Sequence, residues 1–411
     1  MKSASAPRIF FYNPTCEIAI ANGTVSFMPN KTLTQFERDL DVLPMYFANQ
    51  NDIMLVQQLP DQRFLDILTK AGLTLPEFKL LDIALLDTDF LEKPKDSLHP
   101  WGWSPRVHHI FKPFKESCNA DFLNLPNAYW KPGHRNLYSR KTALEVLQNF
   151  LNRTQSDEYI DRTQIAQVCT SVPEVEDLIK DWKQIVIKAP WSSSGRGLQV
   201  LRQSCLNTSI TQWINGTIDT QGYVMVEPLL NKQFDFSLQY YCNGKGKFEY
   251  LGPGFFETNS NGQYVGNLLG GIPNDLAPYL TDTQLRDLSD GIEQSLKESE
   301  IATNYCGYLG VDCLLFIEDS SKIKIQPCVE INLRYNMGTL AIFLEKYIHP
   351  GTKGVFKIHF KPKSKFDAFH LEMEKKYPFE MQDGKWLRGY LPLVSPFQNK
   401  SFGAYLLLKS I

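Results

Sequence analysis

The most informative stretch of the chain is Ile185-Val186-Ile187-Lys188-Ala189-Pro190-Trp191-Ser192-Ser193-Ser194-Gly195-Arg196-Gly197-Leu198-Gln199-Val200. Two apolar, strand-like runs flank a loop of three serines and two glycines. Small residues let backbone N–H groups come close to an anion, and successive N–H groups form a nest for phosphate oxygens. Lys188 closes the first run, where it can set a point charge on such a phosphate. The loop lacks the Gly-Lys-Ser/Thr of a P-loop and the spacing Gly-x-Gly-x-x-Gly. Taken alone it is equally compatible with an ordinary Ser/Gly hairpin.

Downstream, Val311-Asp312 is followed by Val329-Glu330-Ile331-Asn332-Leu333-Arg334. Residues two apart on a strand share a face, so Glu330, Asn332 and Arg334 project together from an apolar run. A short turn at 318–322 predicts an antiparallel neighbour that carries Asp312 towards Glu330. Two carboxylates and an amide oxygen make a hard-oxygen site suited to magnesium; facing each other without a cation they would be costly to bury. Between these segments lies Gly222-Tyr223-Val224-Met225-Val226-Glu227-Pro228-Leu229-Leu230, then Phe234-Asp235-Phe236-Ser237. This reads as a strand, a short connector and another strand. Its exposed backbone could meet an adenine edge and Asp235 a ribose hydroxyl, although a plain β-turn-β fits as well.

Around these segments the pattern is that of alternating strands and helices. Arg8–Tyr12 and Asp52–Val56 read as strands. Leu33, Phe36, Leu40, Leu43 and Phe47 mark a helix, and Phe64, Leu65 and Leu68 another that Gly72 ends, giving a small parallel sheet. Segment 92–135 reads as irregular structure around a helix near 104–114. Ser139 is the expected N-cap of a helix carrying Leu144, Leu147, Phe150 and Leu151. A strand at Ile165–Cys169, a helix at Pro173–Trp182 and a strand at Gln184–Lys188 follow. Hairpin turns are expected at Asn243-Gly244 and Asn261-Gly262. A long helix is expected over 281–303, strands over 308–317 and 322–331, and more strands from 354 to the apolar run Tyr405–Leu408.

The bulk numbers narrow the function. The chain has 411 residues, 43% hydrophobic and 12% aromatic, with 43 Lys plus Arg against 45 Asp plus Glu, a net charge of −2. Without a basic surface, neither nucleic acid nor a polyanionic membrane is an expected partner. The start has no apolar signal-peptide core, and the longest apolar candidate, Leu80–Leu91, is broken three times by Asp. A cytoplasmic location is expected. None of the eight cysteines forms a Cys-x-x-Cys pair, so a zinc knuckle or redox pair lacks support. His108 and His109 are adjacent and cannot share a face, so both read as structural.

Taken in order, the three segments resemble the ATP-grasp superfamily, which includes D-alanine–D-alanine ligase, biotin carboxylase and glutathione synthetase; the resemblance spans roughly residues 136–350. It implies an α/β and α+β chain: a Rossmann-like leading domain (1–135) and two α+β subdomains clasping a nucleotide. These would be a small one with the glycine-rich loop (136–225) and a large one with the metal site and C-terminal strands (226–411). It implies that ATP is held by Lys141 and Lys188, by the loop residues Ser192, Ser193, Ser194, Gly195 and Gly197, by a hinge of Glu227 and Leu229, and by Asp235 on the ribose. Asp312, Glu330 and Asn332 would hold magnesium, two ions in all, and Arg334 would touch the reacting phosphate. The implied reaction activates a carboxylate as an acylphosphate for attack by an amine, with ADP released. A kinase, a thioester-forming ligase and a non-catalytic ATP-binding module are the alternatives. The resemblance also admits a homodimer.

One departure is visible. Segment 252–271 has no Lys or Arg where many relatives place a third cation; it is rich in Gly and Asn and is expected to be a mobile lid. Arg196 or Lys232 could compensate. For the substrate, Asn13, Glu17 and Asn22 follow the first strand, where open α/β sheets place ligands. Arg135 and Arg334 are further candidates, and Trp101, Trp103, Lys131 and His134 could line a polar aromatic pocket.

Overall fold

The computed structural model describes residues 6–192, 197–259, 264–318, 322–362 and 364–410. The leading sheet contains β1 (Arg8–Phe11), β2 (Ile53–Val56), β3 (Glu77–Leu80) and β4 (Ser97–Pro100), all parallel, in the order β3-β2-β1-β4. Its inner strands Ile9-Phe10-Phe11 and Ile53–Val56 are continuous apolar runs because elements cover both faces. A second sheet contains β5 (Gln167–Cys169), β6 (Ile185–Lys188), β7 (Leu198–Leu201) and β8 (Val224–Pro228), antiparallel, in the order β5-β8-β6-β7. Helices Val172–Trp182 and Thr208–Gln221 seal one side of it through Val175, Ile179 and Ile214.

The third sheet is the largest. It contains β9 (Asn231–Asn243), β10 (Phe248–Thr258), β11 (Tyr264–Leu269), β12 (Cys306–Ile317), β13 (Ile323–Asn332), β14 (Thr352–Phe360), β15 (Glu380–Gln382), β16 (Lys385–Pro392) and β17 (Phe402–Ser410). The order is β13-β12-β9-β10-β11-β14-β17-β16-β15. Helices Arg140–Arg153 and Asp282–Lys297 pack on the β13-β12-β9 end, where Val146, Leu147 and Phe150 share a core with Leu309, Val311 and Ile292. The other end shares a core with the leading sheet: Phe10 and Met54 cluster with Phe356, Leu391 and Leu406. The C-terminal strands therefore bind the leading sheet to the large one, and the candidate site lies along that seam. Among the described residues no helix is long and apolar enough to cross a membrane.

Several expected elements are shorter or differently built. The helix expected through Leu33–Phe47 ends at Asp39 and a 3-10 turn, Leu43–Phe47, follows. The cause is a buried acid pair. Asp39 Oδ2 accepts the N–H groups of Ser401 (2.7 Å) and Phe402 (3.0 Å), Asp41 accepts that of Gln57 (2.8 Å), and Pro44 starts the tighter turn. The helix near 104–114 is two pieces, Pro105–Ile110 and Lys112–Lys115, with Pro113 at the junction. The long helix over 281–303 is likewise Asp282–Lys297 and Ile301–Asn304. Segment 252–271, expected as a lid, is mostly sheet: β10 and β11 pair with Phe255 opposite Leu268 and Phe256 opposite Asn267. The expected turn Asn261-Gly262 lies outside the described residues.

Candidate functional site

Three strands bring the acidic residues together. Across β9, β12 and β13, Ser237 stands opposite Asp312 and Asp312 opposite Glu330, so the three share one pleat, with Asp235 two residues along β9. Asn332 follows two residues after Glu330, and its Nδ2 donates to Asp312 Oδ2 at 3.0 Å. Burial, joined by the neighbouring charge of Glu330, pushes the Asp312 carboxyl from the ordinary 3.8 up to about 8. Ser237, Asp312, Glu330 and Asn332 form one end of a cleft of about 630 Å³ that also reaches Glu17, Phe36 and Phe402.

Three cations converge on this face, each paired with a carboxylate. Arg140 Nη1 lies 3.0 Å from Glu330 Oε2, while its Nε donates to Ala189 O (3.1 Å) and its Nη2 to Ser192 Oγ (3.2 Å). Lys188, buried at the end of β6, is paired with Glu227 of β8. Arg334 Nη2 donates to Glu17 Oε2 (3.2 Å) and to Asn332 Oδ1 (2.9 Å), and its Nη1 to Tyr335 O (3.2 Å). Its Nε sits 2.9 Å from Glu17 Oε1 without the alignment of a hydrogen bond, a charge contact only. Burial alone would weaken the charge on Arg334, but Glu17 overrides it and raises its pKa.

The loop after β6 is anchored at both ends. Trp191 donates its N–H to Gln221 Oε1 (3.0 Å) and its indole N–H to Arg135 O (2.8 Å). Gly197 takes φ +73°, and a Cβ there would come within 2.8 Å of Ser192 Cβ; its carbonyl accepts from Ala189 N–H at 2.8 Å. Glycine is thus required by both backbone conformation and space. Ser193, Ser194, Gly195 and Arg196 lie outside the described residues.

Most candidate residues meet here, and some do not. Lys141 is exposed, its Nζ 3.9 Å from the centre of the Tyr223 ring, so it stands apart from the cations that pair across the site. Arg140, which the sequence reading passed over, takes the inward position. The signal was present: Leu144, Leu147 and Leu151 lie four, seven and eleven residues beyond Arg140, on its own helical face. At the hinge, the Leu229 N–H donates to Gln184 O (2.9 Å), so that donor is engaged. Asp235 accepts from Lys232 Nζ (2.5 Å) and Thr258 Oγ1 (2.7 Å), and Lys232 also reaches Thr258 Oγ1 at 2.8 Å. Lys232 thereby places a cation beside the strand that lacks one.

Of the substrate candidates, Glu17, Arg334 and Trp101 face the cleft. Asn13 is buried and exchanges hydrogen bonds with Gly102, donating to its oxygen (2.7 Å) and accepting from its nitrogen (3.2 Å). Arg135 donates to Ala21 O (3.0 Å) and lies over the Trp191 ring at 4.2 Å, behind the loop. Gly102 is a point of close approach: a Cβ there would meet Cys16 Sγ at 2.3 Å and Arg334 Cβ at 3.1 Å. Trp101 lines the cleft, whereas Trp103 stacks on His108 at 4.6 Å in the leading domain's own core.

Among the described residues no three His, Cys, Asp or Glu side chains cluster as a metal site. Asp312, Glu330 and the Asn332 amide instead offer two carboxylates and one neutral oxygen, and Mg²⁺ takes one or two carboxylates and fills its shell with water and phosphate. An acid held neutral up to about pH 8 by burial and a like charge is a position that a divalent cation would relieve. The Asn332 oxygen faces Arg334 here, and an amide turned over would present it to the carboxylates. The residues fit the ion.

Known structures bear on the architecture. The chain resembles a biotin carboxylase from Campylobacter jejuni in complex with beta-gamma-ATP, at TM-score 0.54 and 12% identity over 99% of this chain and 88% of that one. It also resembles the biotin carboxylase domain dimer of a 2-oxoglutarate carboxylase from Hydrogenobacter thermophilus, in complex with MgADP, ADP and bicarbonate. There the TM-score is 0.50 and the identity 11%, over 98% of this chain and 86% of that one. The chain has the ATP-grasp fold. At such identity the likeness is one of fold. No protein-family model matches the chain, and no curated protein matches it. Within the ATP-grasp fold, the second and third sheets are the two subdomains and the parallel sheet is the leading domain.

Proposed function

We propose that this ATP-grasp chain is an ATP- and Mg²⁺-dependent ligase that activates a substrate carboxylate for attack by an amine and releases ADP. One observation supports the reading above the others: Asp312, Glu330, Asn332 and Arg334 line the same cleft, with Arg140 joined to Glu330 and Lys188 close by on β6. Phosphoryl transfer of this kind depends on positioning and charge neutralisation more than on a protein nucleophile. Magnesium, which Asp312, Glu330 and Asn332 would hold, would supply positive charge against the charge that develops on the phosphates.

The chain's own groups have defined tasks. Asp312, Glu330 and Asn332 present oxygen ligands from adjacent strands. Arg140 and Lys188 supply fixed positive charge at the base of the phosphate loop, and Lys232 supplies more at the β9–β10 edge. Arg334 stands at the substrate end, oriented by Glu17. A carboxylate oxygen of the substrate forms the new bond to the γ-phosphorus while the bond to ADP breaks. The amine nitrogen then bonds to the carbonyl carbon, inorganic phosphate leaves and the nitrogen loses a proton. A space beside Lys188, Glu227 and Leu147 is about 20 Å³, too small for a base, so under this reading the nucleotide enters as the small sheet moves away.

The lack of Lys or Arg in 252–271 favours a second reading, an ATP-binding module without turnover. Lys232 at Thr258 weighs against it. The test is ADP release from MgATP with carboxylates and hydroxylamine as a general amine. ADP and hydroxamate formation that Glu330→Gln abolishes supports the ligase. MgATP binding with no ADP from any carboxylate supports the module.

A further inference from the structure

We propose that the substrate of this site carries a single carboxylate on an aromatic or bulky aliphatic body. The proposal rests on the carboxylate-activating reading and specifies its substrate class. Its basis is the wall of the 630 Å³ cleft beyond the acidic end. That volume falls in the range, roughly 300–1,000 Å³, of sites that enclose a sizeable small molecule.

Charge comes first. Among the described lining residues the charged side chains are Glu17, Asp312, Glu330 and Arg334. Arg334, the one cation of that set, is held by Glu17, Asn332 and the Tyr335 carbonyl. Among the described lining residues no second cation is available to a dicarboxylate or a phosphate ester, and Lys232, which reaches Thr258 from outside the lining, is held by Asp235. A further anionic group would face Glu17 uncompensated, which disfavours it.

Hydrogen bonding points the same way. The polar groups of the wall already direct their protons at protein acceptors: Tyr264 to Asn267 Oδ1 (2.6 Å), Ser237 to Gly254 O (3.2 Å) and Thr258 to Asp235 (2.7 Å). Asn336 Nδ2 donates to Gln239 Oε1 at 2.8 Å. A polyhydroxylated substrate would exchange water for a wall with few free donors, and unpaired polar groups are costly.

What the wall does offer is rings. Phe360 and Phe402 are cross-strand partners at the ends of β14 and β17, stacked at 4.4 Å, and Phe36 meets Phe402 edge-on at 5.2 Å. As a purely structural pair, Phe360 and Phe402 would be expected to be covered, yet Phe360 is 51% exposed. Ile358 lies two residues before it on the same face, and Phe256 lines the cleft from β10. An exposed ring stacked on a buried one presents a flat apolar surface to the cleft, where a substrate ring gains both area and stacking.

The test uses the full chain with Mg²⁺ and a non-hydrolysable ATP analogue for binding, and MgATP with hydroxylamine for turnover. The probes are 3-phenylpropionate, 4-methylpentanoate, succinate and gluconate. The expected result is calorimetric binding of the first two at least about tenfold tighter than the last two. Phe360→Ala is expected to weaken 3-phenylpropionate about tenfold in Kd and KM with kcat little changed, and Phe360→Leu to recover part of the loss. Because Phe360 is half exposed, the alanine variant should unfold at nearly the wild-type temperature. Equal or tighter binding of succinate or gluconate, or a Phe360→Ala variant with unaltered Kd for 3-phenylpropionate, overturns the substrate class whether or not ADP forms. Preferential binding of the apolar acids with no ADP or hydroxamate upholds the class and removes the activation reading instead.

Discussion

Replacing Asp312 by Asn tests the electrostatics of the acidic row directly. The carboxyl is displaced from 3.8 to about 8, first by burial and then by Glu330. The folded chain therefore holds a proton at Asp312 more tightly than the unfolded chain does. The sign follows: between about pH 4 and pH 8 the unfolded state ionises while the folded state resists, so stability is lost as pH rises through that window. At about 1.4 kcal/mol per unit of pH, the ceiling is about 6 kcal/mol at pH 9. Asp312 borders an open cleft whose water screens the charge, so about 2–3 kcal/mol is the expected measurable part. Asn keeps the shape and cannot ionise. In urea unfolding without divalent cations, Asp312→Asn should match the wild type near pH 4–5 and exceed it progressively up to pH 9. With MgATP the order should reverse, because the wild type gains a ligand-dependent increment that the variant lacks. A difference between the two proteins that stays flat from pH 5 to pH 9 would refute the argument that this carboxylate is electrostatically strained.

Three further outcomes are expected. Glu330→Gln should keep the fold, with a lowered melting temperature because Arg140 loses its counter-charge, and lower ADP release by at least about a hundredfold across a magnesium titration; wild-type rates in the variant would remove Glu330 from the metal site. Lys188→Ala should lose most of the MgATP-dependent rise in melting temperature, about 2.7 kcal/mol for the wild type at a hundredfold excess over Kd, as read by differential scanning fluorimetry; an undiminished rise would take Lys188 out of the nucleotide site. Gly197→Ala should cost about 1–2 kcal/mol in chemical denaturation, because it forces a side chain into φ +73° against Ser192, and should raise the KM for ATP; no change in either would show that the loop tolerates a Cβ there.

How far the site could be read from the chain depended on where each determinant lies. The row Asp312, Glu330, Asn332, Arg334 was legible because strand alternation is local: the period of two and a short turn suffice to bring Asp312 opposite Glu330. The Ser139 cap was legible for the same reason, and its Oγ does accept the Lys141 N–H at 3.1 Å. The choice between Lys141 and Arg140 is also local, but it is set by helical phase, and the helix is anchored by residues on the Arg140 face. What could not be read is tertiary. Asn13 is consumed by Gly102, 89 residues away, and Arg334 is oriented by Glu17, 317 residues away. The break after Asp39 depends on backbone donors at Ser401 and Phe402. Gly and Asn in 252–271 suggested a loop, yet β10 and β11 are held between β9 and β14, and pairing on both sides outweighs weak local propensity.

The same pairings suggest how such a site rests and switches. Lys188, Arg140 and Arg334 each face one carboxylate, Glu227, Glu330 and Glu17, and burial with the charge of Glu330 favours the neutral form of Asp312. The cluster is thus close to charge balance as it stands, which is the condition for burying so many ionisable groups together. Under the ligase reading, Lys188, Arg140 and Arg334 would exchange their carboxylates for phosphates, and Glu330 and Asp312 would be the residues to hold magnesium. Each new contact replaces an existing ion pair, so net affinity comes from the difference between them, while the arrangement discriminates against an anion that arrives without its metal. Phosphate alone would free Glu330 from Arg140 and leave its charge beside Asp312 without a counter-ion. The metal alone would take Glu330 and leave Arg140 buried without a counter-charge. Cooperation between the two ligands follows from this charge pattern alone.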